Sequence, residues 1–265
     1  MDQLPLENFE NSRVRVFVCQ NTLVCLLLTF LRFQAIMKGR QKEDVFMDKT
    51  LVIGCRTTEN ELLAAMRAAG ISYDLVWIEA RLHNVKKKLN KALSDLISEA
   101  ENYDTILFAT GFCGNSVLGL ESSHARLVLP RVDDCTSLLI GGTRNKSSWM
   151  DSYFLTECWL KSKGNIWDEY KHAVARYGSE RADKIFRVMF AHYKRITLID
   201  TGCYNLVKTR ETASEIARAF SLDLNVLPGT LSYLTDLLTG NWEPDRFLIV
   251  PPHSRISSED LSRLS

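Results

Sequence analysis

The sequence predicts an α/β protein built as two Rossmann-like or flavodoxin-like lobes, with mainly parallel sheets and an intervening helical segment. Three observations predict it. Short continuous apolar runs such as Leu51-Val52-Ile53 and Phe247-Leu248-Ile249-Val250 suit strands covered on both faces by helices. Stretches with apolar residues at helical spacing alternate with those runs. Glycines, among them Gly70 and Gly178, stand where helical patterns stop.

The first strand is expected at 51–53, running into Gly54-Cys55. Thr58 and Glu61 have the spacing of a capping box, opening a helix through Leu62, Leu63 and Met66 that ends at Gly70. A second strand over 73–78 is followed by a helix over 83–102, where Val85, Leu89, Leu93, Leu96 and Ile97 form one face. A third strand at 105–110, a short helix at 115–120, a fourth strand at 125–129 and a helix start at 136–140 complete the first lobe. Strands alternating with helices imply right-handed crossovers and a parallel sheet.

The Gly141-Gly142-Thr-Arg-Asn-Lys-Ser-Ser segment reads as a loop and a boundary. Beyond it come a short apolar run at 153–156, helices at 166–177 and 181–192, a strand at 196–199, a helix at 211–220, a strand at 224–227, a helix at 231–238 and a strand at 247–250. The expected division is an N-terminal extension over 1–46, a first lobe over 47–148 and a second lobe over 149–265.

Residues 1–46 do not share this rhythm. Their uncharged apolar core over 16–31 is shorter than the roughly 20 residues that span a bilayer, and no small-x-small cleavage site follows it clearly. An over-extended start before Met47 is the leading expectation, with an added helix or a targeting segment as alternatives.

With 33 basic and 32 acidic residues the formal charge is +1, so no charged field argues for nucleic acid. No membrane span is expected, the partner is a small-molecule substrate, and the oligomeric state is open. Seven scattered cysteines lack the dense even spacing of a secreted disulfide framework, which points to a reducing, cytoplasmic setting with thiols free to bind metal.

Three of those cysteines share a setting. Cys55, Cys113 and Cys135 each follow a strand end and precede a helix start, where backbone amides favour thiolate. In an open α/β sheet such strand ends lie on one edge, so the three thiols are expected to meet. A single cysteine is more often a small packed hydrophobe; the shared setting shifts the reading to a metal site. Three thiolates leave one position open on tetrahedral zinc or on a four-iron iron–sulfur cluster (4Fe-4S). Cys158 and Cys203 are reserve ligands. No Cys-x-x-Cys pair occurs.

Gly111, Gly114 and Asn115 flank Cys113 and are expected to let backbone approach a bound cofactor. His83, Arg131 and Asp134 are the candidates for catalytic acid, base or substrate-orienting roles, and Arg144 is a further candidate for an anionic substrate group. No dinucleotide fingerprint and no Walker loop is present.

Residues from about 48 to 252 resemble an uncharacterised prokaryotic family, domain of unknown function 1638. The likeness rests on Leu51-Val-Ile-Gly-Cys55, Leu82-His83-Asn84, Gly111-Phe-Cys113-Gly-Asn115, the run from Pro130-Arg131 through Asp134-Cys135 to Leu138-Leu139-Ile-Gly141, and Tyr153-Phe-Leu-Thr156 with Trp159. The chain departs from the family at Asp133, where histidine is frequent, and at Glu157-Cys158, where Pro-Gly is frequent. The resemblance implies an α/β fold with three recurrent cysteines and a setting in anaerobic, corrinoid-linked methyl metabolism; it supplies no established reaction.

The leading expectation is therefore a metal- or cluster-dependent enzyme of lyase or transferase type. The alternatives are a binding module whose two-lobed cleft holds a small molecule while the cysteines merely pack, and a thiol-based redox protein.

Overall fold

A computed structural model describes residues 48–264; the expectations for the N-terminal extension lie outside them. The first sheet is built from β1 (Thr50–Cys55), β2 (Asp74–Ile78), β3 (Thr105–Ala109), β4 (Arg126–Pro130) and β8 (Phe247–Val250), in the order β2-β1-β3-β4-β8. Its first four strands are parallel, and β8 joins the edge antiparallel to β4. The second sheet is parallel throughout, in the order β5 (Ser152–Leu155), β6 (Arg195–Asp200), β7 (Asp223–Pro228).

Strand alternation divides the first sheet's core. Leu51, Ile53, Ile106 and Phe108 pack on one face with Leu89, Leu93 and Ile97 of helix α2 (Lys86–Glu99). Val52, Leu107 and Val128 pack on the other with Leu62 and Met66 of α1 (Glu59–Ala69) and Leu234, Leu237 and Leu238 of α9 (Ser232–Thr239). Around the second sheet, Ile196 and Leu198 meet an aromatic core of Phe186, Phe190 and Phe220. These rings come from α7 (Ser179–Met189), the residue after it, and α8 (Leu206–Phe220). The chain passes from one sheet to the other after two five-residue helices, α3 (Cys135–Leu139) and α4 (Thr143–Ser147), and α9 with β8 then returns to the first sheet.

Three local expectations are corrected. The 115–120 segment is a turn rather than a helix, because Cys113, Gly114 and Asn115 adopt φ of 46°, 67° and 67° in succession, a left-handed run that no right-handed helix accommodates. The 83–102 helix begins only at Lys86, behind a 3-10 turn at Ala80–Asn84 that carries His83. Thr58 forms no side-chain cap on α1; its hydroxyl donates to the Cys55 carbonyl at 3.2 Å, and Glu61 turns into the interior instead of back to the helix start.

The strand order 2-1-3-4 fixes where a site forms. The crossover from β1 goes to β2 on one side and that from β2 returns to β3 on the other, so a crevice opens at the carboxyl ends of β1 and β3. Cys55 ends β1, Cys113 follows β3, and Cys135 opens α3 just beyond β4.

Candidate functional site

Each thiol is set by its own local structure. Cys55 is the last residue of β1, buried, and its sulfur accepts a hydrogen bond from the Thr57 hydroxyl at 3.1 Å. Cys113 sits in the left-handed turn after β3, held to the segment beyond β4 by Phe112 N–H to Val132 O and Cys113 N–H to Asp133 O, both 2.8 Å. Gly111 makes this closeness achievable: a β-carbon there would lie 2.5 Å from Asp134 Cα. Cys135 is the first residue of α3, whose N-cap is Asp134, with Asp134 Oδ1 accepting from Ser137 N–H at 3.0 Å and from the Thr136 hydroxyl at 2.7 Å.

These elements bring the three thiols together. Cys135 interacts with both Cys55 and Cys113, and all three side chains pack on the same side of the first sheet's core. The Cys135 side chain and then burial push the Cys55 thiol well above its ordinary range; Cys113 is the largest influence raising Cys135. Both shifts keep the Cys55 and Cys135 thiols protonated near pH 7. As it stands, no group of three or more His, Cys, Asp or Glu side chains among the described residues has the arrangement of a metal-ion site.

Cys113 and Cys135 open onto a cavity of about 550 Å³. Thr57, His83, Lys86, Gly114, Asp133 and Asp134 contribute to its polar wall, and Tyr153, Phe154, Trp159 and Tyr193 add an aromatic wall. Tyr153 contacts Trp159 and Tyr193 with ring centroids 6.5 and 5.5 Å apart. Lys146, delivered by α4, clamps both aspartates: Nζ bonds Asp134 directly and lies 3.5 Å from Asp133 Oδ2. Burial pushes Asp134 up, but Lys146 and the hydroxyl and amide donors outweigh it and hold the carboxyl below its ordinary value. Burial lowers His83 in spite of Asp134 nearby, so its imidazole is neutral near pH 7 and serves as acceptor or base.

The predicted residues separate into two groups. Cys113, Cys135, His83, Asp134 and Gly114 line the cavity, with Cys55 joined to them through Cys135. Gly111 and Asn115 shape the backbone beside it. Arg131 stands apart: its guanidinium donates to the carbonyls of Pro244 and Asp260, both at 2.9 Å, and ties the chain's final segment to the end of β4. Cys158 and Cys203 belong to a different neighbourhood, around Glu61. The sequence reasoning missed Lys86, Lys146 and Tyr193. Lys146 was hidden in a segment that reads as loop, and Tyr193 reaches the site only through the second sheet, three residues before Ile196.

No helix among the described residues is long and apolar enough to cross a membrane. Neither curated proteins nor solved structures provide a match to the chain. A family model described as protein of unknown function (DUF1638) matches residues 77–238, which include Cys113, Cys135, His83 and the aromatic wall. Because that match covers more than half of the 265 residues, the chain belongs to this family.

Proposed function

We propose that Cys55, Cys113 and Cys135 hold a zinc ion or an iron–sulfur cluster beside the cavity, and that the protein is an enzyme acting on a small polar substrate there. The single observation that carries the reading is the meeting of three thiols from three strand ends at the crevice of the first sheet. The donor chemistry suits such a group: soft sulfur ligands select zinc and iron–sulfur clusters, and binding replaces the protons of the thiols. With three protein ligands the bound group would supply a Lewis-acidic open position.

The chain's own residues supply the rest. Neutral His83 accepts a proton from substrate. Asp134, held ionised by Lys146, orients a substrate donor. Lys86 offers a cation with no ion-pair partner among the described residues, and the aromatic wall excludes water from one side.

Anaerobic purification followed by iron, sulfide and zinc determination tests the reading. Stoichiometric metal in the wild type and its loss in Cys113→Ser, with Cys158→Ser unchanged, is expected. Protein that stays metal-free after reconstitution sinks it.

The thiol contacts also favour a second reading, a dithiol couple. Cys135 and Cys113 would give up two protons and two electrons to an external disulfide, forming one S–S bond while the acceptor becomes two thiols. Peptide mapping after mild oxidation would reveal a linked 113–135 pair, and its absence removes this reading.

A further inference from the structure

A second cavity, of about 150 Å³, adjoins the thiol cavity, and His83, Tyr153 and Trp159 line both. Its outer part is formed by Arg81, Asn84, Gly164 and Glu169. Exposed arginines are usually solvated and mobile; Arg81 has a feature that ordinary surface arginines lack. A β-carbon at Gly164 would lie 3.0 Å from its Cζ and Nη1 and 3.1 Å from its Nε. Three guanidinium atoms at nearly equal distance mean that the planar face of the group covers the place a side chain at 164 would take, with its N–H donors pointing sideways.

The surface beneath it is rigid. Asn165, 2% exposed, donates to the carbonyls of Leu160 and Ser162 at 2.8 and 2.9 Å and accepts from Trp167 N–H and Asp168 N–H as the N-cap of α6 (Ile166–Tyr177). Gly164 itself has φ +68° and donates to Asp168 at 3.2 Å. Arg81 has no hydrogen bond or ion pair among the described residues, and neither has Lys86 at the neighbouring cavity. Glu169 is the one acidic residue in the annex's lining, and over the two cavities Arg81, Lys86 and Lys146 match Asp133, Asp134 and Glu169 in number; with Lys146 engaged by the two aspartates, Arg81 and Lys86 are the cations whose donors are unused among the described residues.

We infer that this annex is a binding site for the anionic group, carboxylate or phosphate, of the ligand whose remainder enters the thiol cavity. Arg81 is its specificity-determining residue and Gly164 the platform that holds the guanidinium. The inference rests on the reading of the thiol cavity as a substrate site, and it deepens that reading by naming a ligand class. A fixed guanidinium fork meets two oxygens of such a group at once.

Isothermal titration of the full chain with inorganic phosphate and, separately, with succinate tests this and tells the two ligand classes apart. At least one should bind wild type, and Arg81→Met should weaken that binding by roughly tenfold or more, as loss of charge-assisted hydrogen bonds predicts. Gly164→Ala should weaken it in the same direction with an unchanged unfolding midpoint or a lower one, while Lys87→Met, one residue beyond the cavity lining, should match wild type. Binding of neither anion, or equal binding by Arg81→Met, overturns the inference. Metal content measured on the same samples separates the two claims: Arg81-dependent anion binding by a protein that takes up no metal upholds the annex and removes the metal site alone.

Discussion

The Thr156 hydroxyl donates a 3.0 Å hydrogen bond to the carbonyl of Thr57, 99 residues away, and accepts one from Trp159 N–H at 3.1 Å. One buried side chain thus ends β5, caps the five-residue helix α5 (Glu157–Lys161) and fixes the turn that follows Cys55. Thr156→Val keeps the shape and removes both bonds. Loss of the cap and of the donor to a buried carbonyl predicts a destabilisation of about 1–3 kcal/mol, and Thr156→Ser should recover most of it. Urea unfolding at one pH measures both, and a Val variant as stable as wild type would show that the link between the sheets carries no energy.

Glu61 gives the chain a pH dependence. Its side chain is fully buried; Oε1 accepts from the Thr201 hydroxyl at 2.8 Å and Oε2 has no hydrogen-bond partner among the described residues. The charged or titratable groups that it interacts with are Glu157, Cys158, Cys203 and Tyr204. Burial raises the Glu61 carboxyl above its ordinary value of 4.5. A raised folded-state pKa means that at this group the folded protein binds more protons than the unfolded one, so the contribution of Glu61 to stability is fully present below 4.5 and is lost as pH rises through the folded value. Glu61→Gln keeps the bond from Thr201 and removes the charge. Its unfolding free energy should exceed that of wild type at pH 7 and lose this part of the pH slope. An unchanged slope would assign the titration elsewhere.

Among the described residues Lys146 is the one cation that pairs with the two aspartates of the cavity wall. Lys146→Met should destabilise by about 1–3 kcal/mol, because two carboxylates that shared a charge-assisted partner are left facing each other. Asp133 depends less on Lys146 than Asp134 does, since Nζ lies 3.5 Å from it and the Thr143 and Ser137 hydroxyls also bond it. The pair Lys146→Met with Asp133→Asn should therefore recover part of the loss. A double-mutant cycle by thermal or urea unfolding reads the coupling, and strict additivity would remove the clamp from the account.

How far the sequence revealed this site depended on whether a residue's role was local. Strand ends are local, so Leu51-Val52-Ile53-Gly54-Cys55 and the apolar run ahead of Cys113 were readable, and the parallel order that brings them together follows from handedness. Glu61 was not readable. Its spacing from Thr58 matches a capping box, but Thr201, 140 residues away, competes for the same carboxyl and wins. The left-handed run at Cys113, Gly114 and Asn115 was equally hidden, because only Gly114 announces a positive φ and the other two are held there by the bonds to Val132 and Asp133. The partners of Arg131 were hidden for a related reason: the carbonyls of Pro244 and Asp260 are backbone groups that no side-chain pattern encodes.

Gly111 offers the most direct test of the thiol arrangement. It does not have the positive φ of Gly114 or Gly119, so alanine there meets no backbone strain of its own. The obstacle is space: the new β-carbon would lie 2.5 Å from Asp134 Cα and 2.6 Å from Asp134 C and N, all backbone atoms that cannot rotate away. Gly111→Ala must push the Cys113 turn away from the start of α3, stretching the Phe112–Val132 and Cys113–Asp133 bonds and parting Cys113 from Cys135. The expected cost is about 1–3 kcal/mol from overpacking. A thiol that has lost its sulfur partner should also react faster with a disulfide reagent such as Ellman's. Gly119→Ala is the control, since nothing lies within 4 Å of its β-carbon and its cost is confined to the left-handed φ of +79°. Thiol reactivity should rise in the first variant and stay at the wild-type rate in the second. Equal rates in both would mean that Gly111 does not set the spacing between Cys113 and Cys135.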